Sequence, residues 1–208
     1  MNRHIFKQDT TTTFEVHLLL IIVKMKKIIY TLILVVCFSC GKKQNFAKDA
    51  SSIQLFKKEL TDKFGEDAYY TSISLTHTLS GDILGVTQTE NPSSLKMGEW
   101  SYLMGKWTQN SDITLELSQG SKAKDFMFKL DGSTVKFDLL GKLVEQSKEK
   151  VIKEKKVKEV VVKSIFINAP DHGDFNKMEY YITVAPKEGG TSFDFWYTIN
   201  GTLRKFNS

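Results

Sequence analysis

After residue 40 the sequence contains no cysteine and a single arginine, Arg204. Without cysteine, this part of the chain cannot form a disulfide, a thiolate nucleophile or a cysteine-based zinc site. Guanidinium groups bind phosphate and base edges bidentately, so one arginine argues against a nucleic-acid partner. The region has 24 basic and 22 acidic side chains, a net charge of +2, which gives no electrostatic reason for an anionic partner.

The sequence also lacks the short motifs that mark common catalytic sites. It contains no Gly-x-Ser-x-Gly elbow, no His-Glu-x-x-His pair, no Walker loop and no dinucleotide fingerprint. No cofactor is therefore expected, and the pattern favours a binding or scaffolding role over catalysis.

Residues 25–40, MKKIIYTLILVVCFSC, carry the strongest signal in the chain. Two lysines precede an apolar run over residues 28–38, and Ser39 precedes Cys40. A basic start, an apolar stretch of about 7–15 residues and a small residue before the cleavage point form a secretory signal peptide. Because a cysteine follows directly, the segment resembles a bacterial lipoprotein signal. The resemblance implies that Cys40 carries fatty acids such as palmitate, becomes the N-terminus and anchors the chain to a membrane of the cell envelope, facing the periplasm or the exterior.

An uncleaved membrane anchor is the alternative for residues 1–40. The apolar run over residues 28–38 falls short of the roughly 20 residues that a helix needs to cross a bilayer. Residues 1–24 are long and mixed for the start of a signal peptide, so translation is expected to begin at Met25.

The remaining sequence predicts a polar tether over residues 41–48 and one domain over residues 49–208. Apolar residues recur every three or four positions over residues 50–64 and 134–156, which predicts two amphipathic helices. Alternating apolar and polar segments follow each helix and predict antiparallel strands. In the first half, a hairpin turn is expected at residues 109–112, between strands over residues 100–107 and 113–117.

The domain is also predicted to consist of two pseudo-repeats, residues 49–120 and 121–208, each a helix followed by an antiparallel meander. Three residues of the first half recur in the second at a spacing of 92: Ser72, Ile73 and Asp82 match Ser164, Ile165 and Asp174. Since a helix packed on a sheet buries one face of each, the expected fold class is α+β, with one or two antiparallel sheets and both helices on one face. This arrangement loosely resembles the small α+β modules of envelope proteins, such as PepSY-like and cystatin-like domains, but no motif assigns functional residues.

Two groups of residues are candidates for a site. Asp171, His172 and Asp174 place two carboxylates and an imidazole within four residues and are the candidate metal ligands, although aspartate and glycine are also ordinary turn residues. Trp196 shares its strand face with polar residues, among them Asp194. A tryptophan in such surroundings is either a platform for a sugar, lipid or peptide or a cover for the edge of the second helix, and the cover is favoured. With Tyr181, these two residues are the candidate ligand-binding set.

The favoured function is a non-catalytic envelope lipoprotein that binds a small ligand or a protein partner through the open face of its sheet. An envelope hydrolase that uses Asp171, His172 and Asp174 is one alternative. A structural subunit of an envelope complex is the other.

Overall fold

The computed structural model describes residues 44–170 and 173–208 of the chain. They form an eight-stranded, fully antiparallel sheet with two α-helices, so the predicted α+β fold class is confirmed. The helices are α1 (Ala50–Phe64) and α2 (Phe137–Lys155). The strands are β1 (Tyr69–Thr78), β2 (Gly81–Thr89), β3 (Lys96–Leu103), β4 (Lys106–Thr114), β5 (Val160–Asn168), β6 (Glu179–Pro186), β7 (Phe193–Thr198) and β8 (Leu203–Asn207).

The strand order is β4-β3-β2-β1-β5-β6-β7-β8, so the two halves of the chain share one sheet. Each half contributes one helix and then four strands in meander order, and the halves meet where β1 pairs with β5. Strand β5 is a central strand, because it lies between β1 and β6. Ser74 and Phe166 pair at this junction, and they differ by the spacing of 92 found in the sequence.

One face of the sheet packs against both helices and is called the helix face below. Its strand side chains alternate with those of the opposite face, as the period of two requires. The helix face forms the main core together with apolar residues of α1 and α2, including Ile73, Leu75, Ile165, Ile182, Phe195, Phe56, Leu60, Leu140 and Val144. Most of these side chains are fully buried.

Helix α1 begins at a capping residue and packs closely against α2. Asp49 caps α1, since its carboxylate accepts from the amide of Ser52 at 2.8 Å and from the hydroxyl of Ser51 at 2.6 Å. These hydrogen bonds lower the pKa of Asp49 from 3.8 to about 2. The two helices approach closely at Gly141, where an added Cβ would lie 3.1 Å from the Cα of Ala50.

Helix α2 also carries a buried polar contact with the sheet. Ser147 is fully buried, and its hydroxyl donates to the carbonyl of Leu143 at 2.8 Å. The same hydroxyl lies 2.9 Å from the Tyr197 hydroxyl, so two buried polar groups are satisfied together.

The face opposite the helices, called the open face below, is covered at one corner. Met97 at the start of β3 packs there with Ala123 and Met127, and the chain between β4 and α2 supplies this cover. It includes a short 3₁₀ helix, Ala123–Phe126, and a single bridge from Phe128 to Tyr70. The rest of the open face carries no helix among the described residues.

Two local expectations differ from the structure. The turn expected at residues 109–112 lies instead at Met104 and Gly105, because β4 begins at Lys106 and continues through the polar residues 109–112 as an edge strand. A polar tether is expected over residues 41–48, but residues 44–48 are part of the folded domain, since Phe46 and Ala47 are each 2% exposed. Burial of Phe46 and Ala47, together with the hydrogen bonds between Gln44 and Tyr102 and between the Phe46 amide and Asp82, docks this segment on the domain.

No helix within residues 44–170 and 173–208 is both long enough and apolar enough to span a membrane.

Candidate functional site

Three aromatic side chains lie side by side on the open face, on three adjacent strands. Phe166 of β5 pairs with Tyr181 of β6, which pairs with Trp196 of β7. The ring centroids are 5.8 Å apart for Phe166 and Tyr181 and 4.9 Å apart for Tyr181 and Trp196. These three residues are called the aromatic row below. All three rings are half-buried, so each keeps part of its surface in contact with solvent.

Trp196 therefore does not cover the edge of α2, and the favoured expectation for its role was wrong. Phe195 and Tyr197 on either side of it face the helices and are buried. Since side chains alternate along a strand, Trp196 points to the opposite face. Lys205 of β8 pairs with it, and the ammonium group lies 4.7 Å from the centre of its ring.

Asp194 holds the middle of the aromatic row in place. Its Oδ1 accepts from the Tyr181 hydroxyl at 2.8 Å and from the Thr183 hydroxyl at 2.8 Å. Burial and the neighbouring Asp194 carboxylate raise the pKa of Tyr181, so its hydroxyl stays protonated as a donor. The geometry thus joins the predicted residues Trp196, Asp194 and Tyr181 in one cluster, with Asp194 as a positioning residue for the tyrosine.

Polar side chains border the aromatic row on both sides. One neighbouring row runs through Ser164, Thr183 and Asp194, which pair in register across β5, β6 and β7. On the other side, Asn168 closes β5, and Glu179 of β6 accepts from Arg204 at 2.7 Å. The site is therefore an apolar strip between two rows of hydrogen-bonding groups.

A groove runs along this part of the open face. It has a volume of about 620 Å³, and the whole aromatic row lines it together with Asn168, Pro170 and Glu179. A second groove of about 620 Å³ adjoins it at residues 168–170 and is bounded by the chain after β4, through Leu115 and Leu117. A ligand much longer than a single ring has room to extend from one groove into the other.

The candidate metal ligands are only partly described. Asp171 and His172 lie outside the described residues. Asp174 caps the short 3₁₀ helix Phe175–Lys177 by accepting from the amide of Asn176 at 3.2 Å, as a turn residue does. Within residues 44–170 and 173–208, no three metal-ligating side chains converge on one point.

Cys40 also lies outside the described residues, but the structure shows where the chain that follows it enters the domain. Gln44 accepts from the Tyr102 hydroxyl at 2.7 Å, and the Phe46 amide donates to Asp82 at 2.5 Å. The other oxygen of Asp82 lies 2.6 Å from Nδ1 of His77, so this histidine is a satisfied structural residue.

Sequence reasoning missed Phe166, the first member of the aromatic row. Residues 160–167 are almost continuously apolar, and β5 has a register shift between Val162 and Ser164. The shift changes which residues share a face, so an alternation read straight through the segment does not assign Phe166. The pairing with Tyr181 is the signal that assigns it, and that pairing exists only in the folded sheet.

Neither a protein-family model nor a curated protein matches this sequence. Among solved structures, the chain is similar to a candidate lipoprotein from Clostridium difficile 630, known from a crystal structure, with a TM-score of 0.44 and 15% sequence identity. The alignment covers 79% of this chain and 95% of that chain.

Proposed function

We propose that this chain is a non-catalytic lipoprotein of the cell envelope that binds a glycan along the aromatic row of its open face. The observation that carries the ligand assignment is the aromatic row itself, three half-buried rings on adjacent strands beside a groove of about 620 Å³. An exposed apolar patch beside a groove with a few polar groups is typical of a binding site.

The chemistry of the row fits a sugar chain better than an acyl chain. A sugar ring has an apolar face of C–H groups, which stacks on an aromatic ring, and hydroxyl groups around its edge. The strip of Phe166, Tyr181 and Trp196 offers the rings, while Asn168 and Glu179 in the groove lining offer hydrogen-bond partners at the edge. An acyl chain makes no hydrogen bond to these side chains and would remove part of their polar surface from water without compensation.

The anchor assignment depends on the sequence of residues 25–40. The short distance along the chain from Cys40 to the folded domain agrees with it, since Gln44 already contacts the sheet.

Binding is tested by titrating the protein with defined oligosaccharides prepared from envelope polysaccharide and measuring the dissociation constant by calorimetry. Trp196→Ala is expected to weaken binding about tenfold or more, which corresponds to ~1.4 kcal/mol. The matched control is Leu95→Ala, which removes another exposed apolar side chain (41% exposed) away from the aromatic row. Unchanged affinity in Trp196→Ala contradicts the proposed site. Binding of extended peptides or fatty acids, with no binding of oligosaccharides, contradicts the ligand class.

The anchor is tested by mass spectrometry of the protein purified from membranes. The N-terminal peptide is expected to begin at Cys40 and to carry acyl chains, and Cys40→Ser is expected to remove both the acyl mass and the membrane retention. An unmodified Cys40 thiol in a chain recovered from the cytosol contradicts the assignment.

A further inference from the structure

We infer that the end of the sheet formed by the β1–β2 and β3–β4 turns faces and enters the lipid surface to which the chain is anchored. This end is called the anchor end below. The inference rests on the proposed lipidation of Cys40 and adds to it an orientation of the domain and a second, non-covalent contact with the bilayer.

The chain enters the domain at the anchor end. Gln44 accepts from Tyr102, near the end of β3, and Phe46 donates to Asp82, at the start of β2. Both partners lie beside the two turns, because β1 and β3 run toward this end and β2 and β4 start from it. Gln44 is four residues after Cys40, and four extended residues span at most about 14 Å. An acylated Cys40 therefore holds this end close to the bilayer.

The two turns present large apolar side chains to solvent. In the β3–β4 turn, Met104 is 83% exposed and Leu103 is 45% exposed; in the β1–β2 turn, Leu79 is 95% exposed. Neighbouring strands lie about 4.8 Å apart, so the centres of these side-by-side turns are about 10 Å from each other. Turn tips are usually polar. Leu79 and Met104 are nevertheless the two most exposed large apolar side chains among the described residues.

The conformation and surroundings of Met104 support the same conclusion. Met104 has φ +52°, a left-handed conformation that glycine or asparagine adopts more easily than methionine. Turn formation therefore does not explain a methionine here. Lys106 follows it and is exposed, and Lys42 and Lys43 lie in the segment toward Cys40. Apolar tips beside lysines suit the boundary between acyl chains and anionic headgroups.

The inference is tested on the full lipidated protein with an environment-sensitive dye on one introduced cysteine. Met104→Cys places the dye at the anchor end. Leu95→Cys places it at the opposite end, where β3 begins, on a residue that is 41% exposed. Each labelled protein is reconstituted into vesicles of phosphatidylcholine and phosphatidylglycerol. The parent chain, without an added cysteine, is treated with the same dye and its N-terminal peptide is weighed.

The expected result is a blue shift of the dye at position 104 and loss of its quenching by aqueous iodide, with neither change at position 95. Equal quenching at the two positions, with Cys40 acylated, overturns the orientation and leaves the anchor standing. Labelling of Cys40 in the parent chain, with no acyl mass, overturns the anchor and the orientation with it. Protection of position 104 that depends on protein concentration and not on vesicles assigns the turns to a second copy and overturns the lipid contact.

Discussion

Phe46 is expected to contribute as much to stability as a residue in the middle of the core, although it lies in a segment whose sequence predicts a tether. Its ring is 2% exposed, and its centroid is 6.0 Å from that of Phe56 and 5.8 Å from that of Tyr102. Truncation of a buried phenylalanine to alanine costs about 3–5 kcal/mol, which includes the cavity that is left. The variant keeps the backbone amide that donates to Asp82, so the decrease in stability measures the contribution of the ring alone.

The assay is urea unfolding of the purified Phe46→Ala variant, followed by thermal unfolding. For a domain of this size, each kcal/mol corresponds to about 2–4 °C in Tm, so the expected decrease is about 6–20 °C. Asn45→Ala is the matched control, because Asn45 is the exposed neighbour of Phe46 and its truncation is expected to change stability by about 0.5 kcal/mol or less. Equal stability of the two variants would contradict the role of the Phe46 ring in the core and would mean that residues 44–48 belong to the tether.

Three further predictions concern the helices. Asp49→Ala is expected to lower the free energy of unfolding by about 1 kcal/mol at pH 7. Because the pKa of Asp49 is lowered to about 2 in the folded protein, this contribution is present above pH 3.8 and is lost as the pH falls toward 2. The unfolding curves of the variant and the wild type are therefore expected to converge in acid. Ser147→Ala is expected to cost about 1–3 kcal/mol because Tyr197 loses a buried partner, and adding Tyr197→Phe is expected to recover part of that loss in a double-mutant cycle; equal and additive losses contradict the pairing. Gly141→Ala is expected to destabilise by about 1–3 kcal/mol instead of gaining the usual helix propensity, since the new Cβ would lie 3.1 Å from Ala50; an increase in Tm contradicts the close helix contact.

Several parts of the fold and of the site follow from local patterns in the sequence. The spacing of apolar residues over Ala50–Phe64 predicts α1 with its bounds, because helix burial repeats every three or four residues. Alternation places Trp196 opposite Phe195 and Tyr197, and polar residues along that face single it out. The absence of cysteine after Cys40 and the signal-like segment before it are likewise properties of the sequence alone.

Only the tertiary structure decided how the strands of the two halves pair with each other and which face each strand turns to the helices. The pairing of β1 with β5 merges the two halves into one sheet, and the register of β5, β6 and β7 brings Phe166 and Tyr181 beside Trp196. Local periodicity specifies that a strand has two faces, but the partner and the register depend on residues far away in the chain, and the irregularity after Val162 reverses the phase. The burial of Phe46 also depends on residues that are distant in the sequence. Its ring packs against Phe56 of α1 and Tyr102 of β3, and the residues next to Phe46 in the sequence do not predict these contacts.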